Sequence, residues 1–314
     1  MTESIEPLTN SQKLFLQRLL VEHVLTDERA KDLYQSIRTK FANVNNKNND
    51  GDDDEDGEDE VDQGYMGDNL EHCLGIINAS LMPAFNLEIG TVSLPPAYNP
   101  DDENNNNNNN DEDGGRKKSP ALIKYHAIVN RSNDDVAKNY AAARSALGPH
   151  ELAYFRKCLE KLVECGNEFL EGYQQRQQQG GKRRRNNTAP IVGCIGALNK
   201  MDLINLRTEM EGPHEGKLSI AQTEAALDIM ESEGWLVPAA PPGEDDDDDG
   251  NNDNDSDDSD NEDKPKKRKR KPSRKSLRGA YFGIGPRTFM ELGEFLQNCG
   301  FPEERMPQSI LHRN

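Results

Sequence analysis

Four stretches of this 314-residue chain are nearly free of aliphatic side chains: Asn43–Gly67, Asn99–Lys118, Tyr173–Asn187 and Gly243–Arg278. Each is biased to Asp/Glu, Asn, Gln or Lys/Arg. Ordering such a segment costs conformational entropy with no apolar burial to offset it. The four are therefore expected to be disordered insertions, and together they occupy 96 residues. About 218 residues remain, enough for two domains of roughly 100 each but not for one large core. Their boundaries are placed at 8–147 and 148–314, with the insertions falling two in each.

The chain carries a net charge of −19, and the charge divides almost evenly. The insertions hold 29 acids and 19 bases, and the rest holds 28 acids and 19 bases. A folded body of that sign is a poor general binder of phosphate backbones. No apolar run approaches the roughly 18 residues of a membrane span. Met1 to Asn10 shows neither a basic n-region nor an apolar h-region, so no secretory leader is expected. A nuclear or cytosolic setting follows, in which Cys73, Cys158, Cys165, Cys194 and Cys299 stay reduced. None of them forms a Cys-x-x-Cys pair, so a self-contained zinc module is not expected.

In the N-terminal half, Leu16, Leu20 and Val24 share one face of a helix over Ser11–Leu25. Thr26 fits the N-cap of a second helix, with Asp27 and Glu28 in its first turn. Ala30, Leu33, Tyr34, Ile37 and Phe41 line that helix. After the acidic insertion, Leu70, Cys73, Leu74, Ile77 and Leu81 repeat the spacing, and Pro83 is expected to end the third helix. Two strands follow, Leu87–Leu94 and Ala121–Val129. In the latter, Ile123, Tyr125, Ala127 and Val129 alternate with Lys124 and His126. Three helices and a hairpin are the order of a winged helix, with the Asn tract as an enlarged wing. A generic small α+β domain is the alternative.

The C-terminal half repeats this plan. Pro149–Glu164 is an amphipathic helix with Leu152, Phe155, Leu159 and Leu162 on one side. A weaker helix is expected over Ala189–Leu206. Ser219 and Gln222 form a capping box ahead of a helix that Gly234 stops. Trp235–Val237 and Ala280–Ile284 read as strands flanking the longest insertion, and a last helix covers Thr288–Asn298. The expected fold class is mainly α with small β-hairpins (α+β), as tandem winged-helix domains carrying acidic, Asn-rich and basic insertions.

Few motifs carry chemistry. Asn199-Lys200-Met201-Asp202 matches a guanine-reading tetrapeptide, but no phosphate-cradling loop precedes it, so a polar helix turn is the better reading. The six histidines lack an i, i+4 partner or a nearby cysteine pair, and none is singled out as a metal ligand. No Ser/His/Asp or Cys/His constellation can be assembled. Lys264, Lys266, Lys267, Arg268, Lys269, Arg270 and Lys271 form a dense cationic run. It fits a nuclear-import signal, a nonspecific DNA tether, or a solvated tail balancing the adjacent acids, and import ranks first.

Several blocks in order resemble a known family. Leu14–Leu20 with Ala30–Ile37, Ala127–Asn130 with Ser132–Ala137, Gly148–Leu162, Gly234–Leu236 and Ile284–Leu292 are together similar to the first non-SMC element subunit of the SMC five-six genome-maintenance complex. The resemblance implies tandem winged helices, a nuclear role in DNA repair, docking on a MAGE-type winged-helix subunit, and through it contact with the kleisin and indirect association with DNA. It also implies a C-terminal RING-like zinc domain that recruits a ubiquitin-conjugating enzyme and gives ubiquitin-ligase activity. That domain needs about eight Cys/His ligands, and only His312 follows Cys299. Zinc and ligase activity are therefore expected only if a RING-like module follows. A truncated or mis-spliced reading of the gene is expected in preference to loss of the module.

Three functions follow as expectations. The first is a non-enzymatic scaffold subunit with Leu152, Phe155, Leu159 and Trp235 at its partner interface. The second is a RING-type ubiquitin ligase, carried by the resemblance alone. The third is a winged-helix DNA-binding regulator, disfavoured because Asp68–Leu81 and Ser219–Glu233 hold no Lys or Arg. No catalytic, cofactor or metal residue is assigned.

Overall fold

The computed structural model describes residues 7–47, 65–95, 122–131, 146–179, 196–240, 280–307 and 309–311. Its element order is α1 (Asn10–Glu22), β1 (Val24–Thr26), α2 (Asp27–Lys47), α3 (Leu70–Phe85), β2 (Leu87–Leu94), β3 (Ile123–Asn130), α4 (Pro149–Gln179), β4 (Leu198–Asn199), α5 (Lys200–Asn205), α6 (Ile220–Ser232), β5 (Leu236–Ala239), β6 (Tyr281–Ile284), α7 (Pro286–Glu291), α8 (Gly293–Asn298) and β7 (Ser309–Leu311). The protein is mainly helical with small antiparallel sheets. Two lobes repeat one plan of helix, strand, two helices and two strands. The strands run β1-β3-β2-β7 in one sheet and β4-β6-β5 in the other. The tips of both hairpins, and most of the four low-complexity stretches, lie outside the described residues.

Local chemistry explains the boundaries. The hydroxyl of Thr9 accepts from the backbone N–H of Gln12, whose side chain accepts from Thr9 N in return, closing a capping box. Ser219 and Gln222 do the same for α6. The Thr26 hydroxyl accepts from Arg29 N at 3.3 Å and starts α2. Pro83 does not end α3. It sits in the last turn, and the helix stops at Asn86, which takes the left-handed conformation (φ 51°) and donates its N–H to Met82 O.

Other boundaries depart from expectation. The α1 helix ends at Glu22, because Val24–Thr26 forms a short strand on β3. The α4 helix runs to Gln179, through part of the supposed insertion at Tyr173. In the first insertion, Met66 is buried and the Tyr34 hydroxyl donates to Gly67 O at 2.7 Å, so its C-terminal edge belongs to the fold. In place of a helix over Ala189–Leu206, the described part is β4 and the short α5, because β6 takes residues 198–199 as its partner. The final helix is broken at Leu292 into α7 and α8.

The β2–β3 hairpin is buried on both faces. One face carries Leu87, Ile89 and Ile128, and it packs on Phe15, Leu19, Ile37, Leu74 and Ile77 of the first lobe. The other carries Val92, Leu94, Tyr125, Ala127 and Val129, and it joins the core of the second lobe around Leu159, Leu227, Trp235 and Met290. Gly90 sits on this second face, where a Cβ would lie 3.3 Å from the Met290 sulfur. Asn78 ties α3 to the hairpin: its Oδ1 accepts from Ile89 N at 2.6 Å and its Nδ2 donates to Ile89 O at 3.2 Å. The β7 strand adds to β2 by pairing at Gly90, Thr91 and Val92, so a segment near residue 310 closes the sheet begun near residue 24.

Gly285 enters α7 so closely that a Cβ would lie 2.3 Å from Gly234 O and 2.7 Å from the Trp235 carbonyl carbon. Both are backbone atoms and cannot swing aside. The Gly285→Ala variant is expected to lose on the order of 3 kcal/mol of stability, the upper end of core overpacking. Urea denaturation followed by circular dichroism measures it.

Candidate functional site

Three of the blocks singled out in the sequence meet around Trp235. Its indole is buried, 5.5 Å from the Phe155 ring and 4.1 Å under the Arg287 guanidinium carbon. The indole Nε1 donates to Glu233 Oε2 at 2.8 Å, and Ala146 N donates to Glu233 Oε1 at 3.2 Å. Arg287 Nε donates to Glu291 Oε1 at 2.7 Å, and its Nη1 lies 3.6 Å from Glu233 Oε2. The Trp235 carbonyl accepts from Gly285 N at 2.8 Å and from the Thr288 hydroxyl at 2.7 Å. One buried cation thus faces two buried carboxylates, and the indole and a backbone amide supply further donors. Breaking such a set leaves a charge uncompensated in the interior. Its groups bond to one another in the interior, so the arrangement locks α4, β5 and α7 together.

This placement corrects the partner-interface expectation. Phe155, Leu159 and Trp235 are 2%, 0% and 1% exposed, and Leu152 packs against the same core. The apolar stripe of α4 faces its own lobe, so these side chains hold the fold, three of them buried and Leu152 half-buried. Among the described residues, the exposed large apolar side chains are Leu20, Val21, Tyr65, Phe85, Leu122, Met201 and Ile220. The Lys264–Lys271 run lies outside the described residues. Asn199 accepts from Met201 N and caps α5, which makes Asn199–Asp202 a helix turn.

A second polar set, which the sequence did not reveal, joins α2 to the hairpin. The Thr91 hydroxyl lies 2.8 Å from His126 Nδ1, His126 Nε2 lies 3.3 Å from Asp27 Oδ1, and Lys31 Nζ lies 2.7 Å from Asp27 Oδ2. Thr91 and His126 are buried, at 1% and 3% exposure. The Thr91 hydroxyl is engaged by the imidazole beneath the surface, and the set brackets two strands and a helix. A cleft of about 290 Å³ opens beside it, lined by Asp27, Lys31, Asn69, Leu70, Glu71, Thr91, Lys124 and His126. Burial alone would raise the Asp27 carboxyl, but the Lys31 ammonium and the His126 imidazole outweigh it and hold the group below its ordinary value of 3.8.

Helices α3 and α6 contain no Lys or Arg. The exposed face of α6 presents Glu224, Asp228 and Glu231, with Lys200 Nζ 3.5 Å from Asp228. Among the described residues no three His, Cys, Asp or Glu side chains are grouped to hold a metal ion. Nor is any described helix long and apolar enough to cross a membrane. Cys73 and Cys158 sit in different cores, where burial pushes both thiols up to about 12. Lying in different cores, they are not brought together at one site.

The fold thus defines a two-lobed α+β protein whose characteristic blocks build internal contacts between elements. The chain belongs to the family described as the Nse1 non-SMC component of the SMC5-6 complex, whose family model matches residues 12–240. It is accordingly a subunit of that genome-maintenance complex. A solved structure titled "Nse1-Nse3-Nse4 complex" is 17% identical, with 93% of this chain and 75% of that chain covered and a TM-score of 0.45. No curated protein matches the chain.

The bracket on Asp27 is testable through pH. Its folded value lies below the unfolded one, so its contribution is present above about pH 4 and is lost as pH falls through the folded value. Asp27→Asn is expected to be less stable than the native chain at pH 7, with the difference narrowing as the pH falls below about 4. Thermal melts across that range measure the gap.

Proposed function

We propose that this subunit works by docking, with its paired lobes binding a MAGE-type winged-helix subunit of the SMC5-6 complex and, through it, the kleisin. Family membership over residues 12–240 is the observation that carries this reading. The charge of the fold supports it. The α3 and α6 helices carry no base, and α6 shows an acidic face, a surface better suited to a protein partner than to a phosphate backbone. Contact with DNA is then indirect. The solved complex named above has subunits Nse3 and Nse4 in its title, which is the kind of assembly proposed here.

Co-expression of the full chain with the MAGE-type subunit tests this. The two should co-elute in size exclusion at micromolar concentration, at one copy each. Separate elution would overturn the docking reading. An electrophoretic DNA shift that survives deletion of residues 264–278 would favour direct DNA binding instead.

We further propose that the basic run at Lys264–Lys271 directs the protein to the nucleus, as a dense extended set of cations recognised by an acidic-grooved import receptor. Replacing Lys264, Lys266, Lys267, Arg268, Lys269, Arg270 and Lys271 with Gln should shift a fluorescent fusion from nucleus to cytosol. Unchanged nuclear signal would assign targeting to another segment.

A further inference from the structure

The fold brings together two histidines that are 64 positions apart in the sequence. His150 stands in the first turn of α4, and His214 closes the short 3-10 turn Gly212–His214. Their Nδ1 atoms are 3.0 Å apart, with ring centroids 5.1 Å apart and planes at 74°. Both are half-buried, so water still reaches them. We propose that His150 and His214 form a two-imidazole chelate for a divalent transition-metal ion of octahedral or square-planar habit, such as nickel(II), with water filling the remaining positions.

The geometry supports this on three counts. With metal–nitrogen bonds of about 2.0–2.1 Å, two imidazoles in neighbouring positions at a right angle place their nitrogens about 2.9 Å apart, against about 3.3 Å in a tetrahedral site. The observed 3.0 Å falls near the first value. Both carriers are firmly held. Tyr154 on α4 is fully buried and donates to Leu203 O at 2.8 Å, while Met210 and Leu218 bury the two ends of the His214 segment. Gly212 and Gly216, at φ 65° and 63°, make the bends that turn His214 towards α4. A chelate whose backbone is already fixed loses little freedom on binding. Finally, Glu209, Glu211 and Glu215 flank His214 and are exposed, so the local field attracts a cation.

In the metal-free protein the pair shares one hydrogen bond, a neutral ring donating Nδ1–H to the Nδ1 of the other. Metal binding requires both Nδ1 lone pairs. The donating ring transfers its proton to Nε2 through solvent, and neither ring changes its net charge. The ion therefore replaces a single hydrogen bond with two coordinate bonds across the same contact.

Isothermal titration of nickel chloride into the full-length chain at pH 7.5 tests the proposal. One ion per chain is expected, with affinity falling at least about tenfold in His150→Gln and in His214→Gln but not in the control His72→Gln. Nickel is paramagnetic, so histidine-ring NMR signals of the unaltered chain give a readout that does not depend on a variant folding. The signals of His150 and His214 should broaden first and together. Absence of binding, retention of full affinity in the His150→Gln/His214→Gln double variant, or earlier broadening of other histidines would overturn it.

Discussion

Double-sided burial of the β2–β3 hairpin is the constraint on which the rest of the structure depends. A two-stranded ribbon is marginal by itself in water. Here one face rests on α1, α2 and α3 while the other enters the core of the second lobe. Alternation along β3 makes this possible. Ile123, Tyr125, Ala127 and Val129 point one way, and His126 and Ile128 the other. Each polar residue admitted to either face is matched. Thr91 and His126 bond each other, and buried Glu88 pairs with Arg131. A register slip of one residue would exchange the two sets and strand these groups in the wrong core.

The second lobe is fixed by a different kind of contact. The blocks that meet around Trp235 are not an exposed recognition surface. Trp235, Arg287, Glu233, Glu291 and Thr288 form a connected interior set, and Gly285 lets its backbone approach that of Gly234 and Trp235 closely enough to make it. Such residues hold α4, β5 and α7 in one arrangement. Proximity also creates the His150–His214 contact, which neither neighbouring sequence suggests.

Much of the secondary structure was legible because local signals and tertiary packing agree. The Ser219–Gln222 box starts α6 through bonds confined to four residues, and Leu87–Leu94 matches its strand residue for residue. The errors fall where a non-local partner overrides local preference. Val24–Thr26 and Leu198–Asn199 are strands only because β3 and β6 pass beside them. Met66 has a polar, acidic neighbourhood in sequence but a core position in space. The candidate interface on α4 failed for a related reason: an amphipathic stripe says that a face is covered, not by what. Thr91, His126 and Asp27 escaped notice because positions 27, 91 and 126 share nothing local.

By itself the sequence determined the class of the fold, two small helical lobes with short hairpins, since apolar periodicity and capping are local properties that follow from side-chain chemistry. It also carried the family resemblance, and the basic run at Lys264–Lys271, which lies outside the described residues. Only the tertiary structure decided that the first hairpin is shared between both cores, that Trp235 and the α4 stripe face inward, and which distant polar groups meet. Those outcomes depend on which surfaces exclude water from each other, a property of the assembled chain that no window of residues contains.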